Sequence, residues 1–321
     1  MKRSWFSLPL GSIVVATMAA VLSAPSARAD GLPVLGIDVG ATGVTTAGSP
    51  YRWIAIGEGR TTLVERVARN GGSVVRWARL RGTFTIPAVA YDGSASGVSA
   101  DAKRLVLIEP RSSFPRARTR FVLLDANGLG VYRTITLRGD FSFDALSPHG
   151  RTMFLINYTS ADPNSYQVRA YDLTAFRLLA GSITDPAEHE DAMHGAPITR
   201  LTSADGRWAY TLYDGAGESP FVHALDTATR RAHCVDLPML KGRRDLWQLR
   251  LHHAGGGGID VRAAAGPVAA IDTTAFTAGP PPAPQHSRDV RPWLLYGAAT
   301  ALAALLGTLA GRVLRRRPAT A

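Results

Sequence analysis

The chain has 321 residues, 46% of them hydrophobic, which is length enough for one large domain or two ordinary ones with a real core. Its formal charge of +11 invites a nucleic-acid reading, but Lys2, Arg3 and Arg28 supply three of those charges and Arg312, Arg315, Arg316 and Arg317 four more, leaving +4 for everything between. With no basic run there beyond Lys241-Gly-Arg-Arg244 and no alternation of arginine with aromatic residues, nucleic acid is not an expected partner.

In chain order, Lys2 and Arg3 precede an apolar stretch from Leu8 to Leu22, and Ala27-Arg-Ala29 then offers the small-x-small pattern of a signal peptidase site. Residues 1–29 therefore read as a signal peptide. "GIDVGATG", Gly36 to Gly43, is similar to the first phosphate loop of actin-like sugar kinases. That chemistry needs cytoplasmic ATP and a second phosphate motif, whereas this stretch starts seven residues after the cleavage site and leads into β-type repeats, so a strand and turn is the expectation.

The repeat is plainest in three segments. Ser99-Ala-Asp-Ala-Lys-Arg-Leu-Val-Leu-Ile108 lines up with Ser147-Pro-His-Gly-Arg-Thr-Met-Phe-Leu-Ile156 and with Ser203-Ala-Asp-Gly-Arg-Trp-Ala-Tyr-Thr-Leu212. Each is followed by a second run closing on an acidic residue, "FVLLD" at Asp125, "VRAYD" at Asp172 and "FVHALD" at Asp226, at serine-to-aspartate intervals of 26, 25 and 23. A third run follows each aspartate, from Gly130, Ala175 and Ala228. Weaker copies flank these: "YRWIAIG" from Tyr51, "TTLVERV" from Thr61 and "SVVRWARLRG" from Ser73 before, "LWQLRLHH" from Leu246 and "VAAID" ending at Asp272 after.

Ser, Asp and Gly in the first part of each copy favour a turn, because the side chains bond nearby amides and Gly supplies positive φ. The β-branched and aromatic runs of four to seven residues read as strands. Three or four short antiparallel strands recurring every 46 to 56 residues cannot bury both faces of one sheet alone, and radial stacking of such sheets buries them on each other. The segments at Ser99, Ser147 and Ser203 resemble the turn and strand of TolB-type and YVTN-type propellers, relatives of WD-repeat proteins. The resemblance runs from Tyr51 to Phe276 and implies an all-β fold, a β-propeller of about five to seven blades. It implies no ligand, because those residues are structural in the family. His149 stands where the family has aspartate.

The ectodomain is thus expected over 30–276. "TAGPPPAPQHSRDVRP", residues 277–292, has the proline content of an extended stalk. Trp293 to Gly311 is nineteen residues without a charge, entered through Trp293 and Tyr296 and followed by the arginine cluster, which reads as one C-terminal transmembrane helix over 293–311 with a basic cytoplasmic tail over 312–321. The domain would then face outside the cytoplasmic membrane. Gly307 and Gly311 form a small-xxx-small pattern through which two such helices can pack.

Candidate chemistry is thin. His189-Glu190 with His194 has the wrong spacing for two helical zinc ligands, Gly93-Ser-Ala-Ser-Gly97 places Ala95 where a nucleophile elbow needs serine, and His252 and His253 point to opposite faces of a strand. Cys234, the single cysteine, is expected to be a buried thiol, with a reactive or intermolecular one as the alternative. No catalytic, metal or cofactor residues are assigned, and no cofactor is expected. The candidate binding loop is the insertion Thr184 to Pro197, with Asp185, Glu188, His189, Glu190, Asp191 and His194, suited to a cationic partner or divalent ion. The expected function is a membrane-anchored recognition or scaffold module that binds another protein. The alternative is a propeller hydrolase, lactonase-like, with its site at the central channel.

Overall fold

The computed structural model describes residues 43–188 and 193–281. The signal peptide, most of "GIDVGATG", residues 189–192, and everything from 282 through the expected membrane helix and tail lie outside the described residues. No helix among the described residues is long and apolar enough to cross a membrane.

The β-branched and aromatic runs pair with their sequence neighbours. β1 (Tyr51–Glu58), β2 (Thr61–Ala68) and β3 (Val74–Arg81) form a first antiparallel sheet, to which Val44 adds an inner bridge at Trp53. β4 (Arg104–Ile108), β5 (Arg118–Asp125) and β6 (Val131–Arg138) form the second, with Thr85 and Val98 bridging to Ile108 and Leu105. The third runs β7 (Asp140–Leu146), β8 (Thr152–Tyr158) and β9 (Ser165–Asp172), then β10 (Arg177–Leu178) and β11 (Met193–His194), which pair at opposite ends of β9. The fourth is β12 (Pro197–Thr202), β13 (Trp208–Tyr213), β14 (Phe221–Asp226) and β15 (Arg231–Asp236). The fifth is β16 (Arg250–His253), β17 (Ile259–Ala263), β18 (Gly266–Asp272) and β19 (Thr277–Gly279).

Each sheet packs on the next in chain order. Trp53, Val64 and Leu80 of the first meet Leu105, Leu107 and Val122 of the second; Val106, Phe121 and Leu123 then meet Phe143, Met153 and Leu155 of the third. Phe154, Tyr166 and Val168 meet Tyr213 and Leu225 of the fourth, and Leu212, Val222 and Ala224 meet Leu251, Val261 and Ile271 of the fifth. Alternate residues of one strand thus serve two different interfaces, as Val106 and Leu107 do, which is why these strands are apolar on both faces. Sequential antiparallel sheets packed face to face are β-propeller architecture.

The two turn types of the repeat have defined causes. After the inner strand, Ser99, Ser147 and Ser203 each accept through Oγ from an amide four or five residues on (Arg104, 3.0 Å; Thr152, 3.0 Å; Trp208, 2.9 Å). The residue three beyond each serine sits at positive φ: Ala102, Gly150 and Gly206. At the other end of the sheets Asp125, Asp172, Asp226 and Asp272 terminate equivalent strands, and each Oδ1 accepts from an amide two residues on, at 2.7 to 3.0 Å. Four residues after each comes another left-handed residue, Leu129, Phe176, Arg230 and Phe276.

Two boundaries differ from the sequence expectation. Leu246 to Gln248 form a single 3-10 turn, so the strand expected from Leu246 starts only at Arg250. The last sheet continues through β19, three residues past 276, because Thr277, Ala278 and Gly279 pair with Asp272, Ile271 and Ala270.

Candidate functional site

The serine turns of the second, third and fourth sheets converge. Asp101 N donates to Pro148 O at 3.2 Å, His149 Nδ1 lies 3.4 Å from Asp101 Oδ2, and a Cβ on Gly206 would stand 2.6 Å from that of Ala100. Burial would raise the Asp101 carboxyl, but hydrogen bonds from Ser99 and Lys103 outweigh it and hold the group below the usual carboxylate range. Beside these turns opens a cavity of ≈ 350 Å³, walled by inner segments of the first four sheets. Its polar wall includes Thr46, Ser96, Thr202 and Ser203, its apolar wall includes Ala100 and Leu146, and Arg69 is its one charged residue. The volume falls within the range of small-molecule pockets.

The second sheet also reaches across to the fourth and fifth. Residues 87–96 form a small hairpin (Ala88 bridges Ala95) whose tip carries a turn set by Asp92 and Gly93, with Ser94 N donating to Asp92 Oδ1 at 2.9 Å. That tip docks on the fourth and fifth sheets: Tyr91 N donates to Pro197 O (2.9 Å), Asp92 N to Ile198 O (3.2 Å), the rings of Tyr91 and Trp247 meet edge-on at 5.6 Å, and Arg250 Nε lies 3.4 Å from Asp92 Oδ2. The tip therefore caps the open inner edge of β12.

Every deeply buried carboxylate has a partner among the described residues. Asp140 accepts from Arg111 Nη2 (2.6 Å) and from the amide of Arg116 (2.9 Å), and Asp144 pairs with Arg200. Asp226 pairs with Arg207 at 2.7 Å, and Asp185 accepts from the Cys234 amide at 2.7 Å. Burial, then the nearby Arg111 charge, lowers the Arg116 guanidinium to about 10. Such pairs position backbone within and between sheets. Between the third and fourth sheets lie Tyr158, Tyr166, Tyr213 and His223. Burial raises the three phenols and pushes the His223 imidazole down to about 4; its Nε2 has no hydrogen-bond partner among the described residues.

The structure separates the residues of the candidate binding loop. Asp185 is buried and ties the segment to β15, while Glu188 is exposed. His194 is exposed in β11, whose partner residue Met193 is buried, so this end of the insertion is sheet rather than loop. His189, Glu190 and Asp191 lie outside the described residues. Cys234 is half-buried and its thiol is pushed up to about 12, first by burial and then by Asp185. Sequence reasoning missed the cavity wall, the hairpin 87–96 and the buried ion pairs, since these join residues 19 to more than 100 positions apart. The one signal for the pairs is "DFSFD", two acidic residues inside an otherwise apolar strand.

No family model matches the sequence, and no curated protein does. Solved structures similar in fold include a hydrazine synthase of Kuenenia stuttgartiensis (15% identity, 78% of this chain and 68% of that one, TM-score 0.44). They also include TolB from Acinetobacter baumannii (14%, 67% and 49%, TM-score 0.37) and the Swd1 β-propeller domain of Myceliophteria thermophila (11%, 77% and 68%, TM-score 0.41). At these scores the comparisons add no argument about activity, and the propeller description rests on the sheets of this chain.

Proposed function

We propose that the chain is an exported, single-pass membrane protein whose five blades form a non-catalytic recognition module, and that the cavity beside the serine turns is where it takes its ligand. The carrying observation is an open cavity of ≈ 350 Å³ walled by segments of four sheets, whose one charged lining residue is Arg69. A hydrolase at the central channel would need a free carboxylate or histidine there. Asp92 and Asp144 instead face Arg250 and Arg200. The exposed Glu188 and His194 offer a second contact for a cationic partner.

Photo-crosslinking in native membranes tests this. A benzophenone side chain at Thr46 or Ala100 should give a specific adduct that one at Arg231, on an outer strand, does not. Identical patterns from all three positions overturn the cavity assignment, and a hydrolytic activity abolished by Asp144→Asn would favour the enzyme instead. Protease added to spheroplasts should degrade the domain; full protection would reverse the topology.

A further inference from the structure

Positive charge and exposed apolar surface fall on the same part of the molecule. Setting aside Arg111, Arg116 and Asp140, which are buried against one another, residues 43–138, which hold the first two sheets, carry 13 Lys and Arg against 6 Asp and Glu, whereas the other described residues carry 12 against 13. Of the eight exposed large hydrophobic residues, six are also on these two sheets: Ile56, Val74, Val75, Trp77, Val131 and Tyr132, with Trp77 the most open at 63%.

Five of those six lie on β3 and β6, the outermost strands of their sheets. Arg66 Nη1 donates to Asn127 Oδ1 at 3.1 Å and Arg76 Nε to Gly128 O at 3.3 Å, which sets β3 beside the turn that feeds β6. Exposed arginines border both edges, among them Arg60, Arg79 and Arg81 on the first sheet and Arg133 and Arg138 on the second. Charge on an outer strand is a common guard against strand-to-strand aggregation, and that accounts for the arginines. It does not account for two valines and a tryptophan left in water beside them.

We propose that the edge formed by β3 and β6 rests on an anionic phospholipid surface, with guanidinium groups at the phosphates and Trp77, Val75, Val131 and Tyr132 at the headgroup boundary. Arginine stems lie along apolar surface while their heads reach anionic groups, and tryptophan favours the boundary because its ring is apolar and its N–H polar. Nucleic acid fits the pattern less well: Trp77 and Tyr132 give bases a stacking face, but the three exposed valines beside them give none and are what a lipid boundary accounts for. The inference deepens the membrane-anchored reading above, since it states how the anchored domain meets its own membrane.

The test uses the full-length chain reconstituted into vesicles of brominated phosphatidylcholine, with or without phosphatidylglycerol, and reads tryptophan quenching. Trp77→Phe should remove a quenchable component in the anionic vesicles that is already missing in the neutral ones. Arg60→Glu with Arg81→Glu and Arg138→Glu should remove the same component while leaving the circular dichroism unchanged; these three side chains are exposed, so their exchange spares the core. Equal quenching of wild type and Trp77→Phe in anionic vesicles overturns the proposal. So does salt-sensitive binding of a single-stranded oligonucleotide that the triple variant abolishes, if no lipid-dependent Trp77 component accompanies it. Alkaline extraction keeps the two readings apart: a chain washed from the vesicles refutes the anchor, whereas a retained chain lacking the Trp77 component refutes only the docked edge.

Discussion

His223 makes the domain sensitive to mild acid. The imidazole is 2% exposed, between the third and fourth sheets, with Asp144, Arg200, Asp185 and His233 as the charged or titratable groups around it. Burial dominates and lowers it from 6.5 to about 4. Because the unfolded chain binds this proton more readily, the stability tied to neutral His223 is fully present above pH 6.5 and is lost as pH falls toward 4. At ~1.4 kcal/mol per pH unit the whole window is worth about 3 kcal/mol, a large part of the ~5–15 kcal/mol that holds a typical domain. Carboxylates such as Asp172 and Asp205, held below 3.8 by their hydrogen bonds, act only in stronger acid and leave this window clear. Urea unfolding of the full-length chain in detergent at a series of pH values between 7.5 and 4.5 should show the loss, and His223→Phe, which fills the site without a titrating group, should flatten it. A His223→Phe curve parallel to wild type would refute the assignment, whatever the overall stability of the variant.

Three further outcomes follow from buried contacts. Asp140→Ala leaves Arg111, 2% exposed, and Arg116, 9% exposed, without their carboxylate and should cost about 3–5 kcal/mol in urea unfolding; a cost below ~1 kcal/mol would mean that the cluster is dispensable. Gly206 and Gly217 both have positive φ, but a Cβ meets Ala100 only at Gly206, so Gly206→Ala should destabilise by about 1 kcal/mol or more beyond Gly217→Ala, for which strain alone costs ~1–2 kcal/mol. Equal melting points would contradict the contact between serine turns. The Cys234 thiol, up at about 12 and half-buried, should resist aromatic disulfide reagents at pH 8 until urea unfolds the chain; equally fast labelling of native and unfolded protein would show the site is open.

What was legible in the sequence is what local hydrogen bonding dictates. A serine whose Oγ serves an amide five residues on, or an aspartate that serves one two residues on, needs only its own turn, so Ser99, Ser147, Ser203, Asp125, Asp172 and Asp226 were all readable. The left-handed residue four past each aspartate was hidden because Leu129, Phe176 and Arg230 stand where glycine would signal it. In the fifth unit, glycines 255–258 replace the serine turn, and β17 went unseen behind them. Asp185 shows the opposite failure. As sequence it is one acid in a polar insertion, and its tie to the Cys234 amide comes from another element, 49 residues on.

The hairpin 87–96 carries the largest functional consequence of this limit. "IPAVAYDGSASG" has the composition of a surface turn, and locally it is one, since Asp92 and Gly93 build its tip. Yet Ala88, Val89 and Ala90 are buried, because the inner edge of β12 offers unpaired carbonyls and the tip supplies the amides of Tyr91 and Asp92 to them. A buried strand edge left open needs a partner of this kind. Once the hairpin is docked, two carbonyls of the β12 edge have their partners. The cavity beside the serine turns is bounded by Ala100, Ser203 and Gly206, residues whose primary task is to turn the chain.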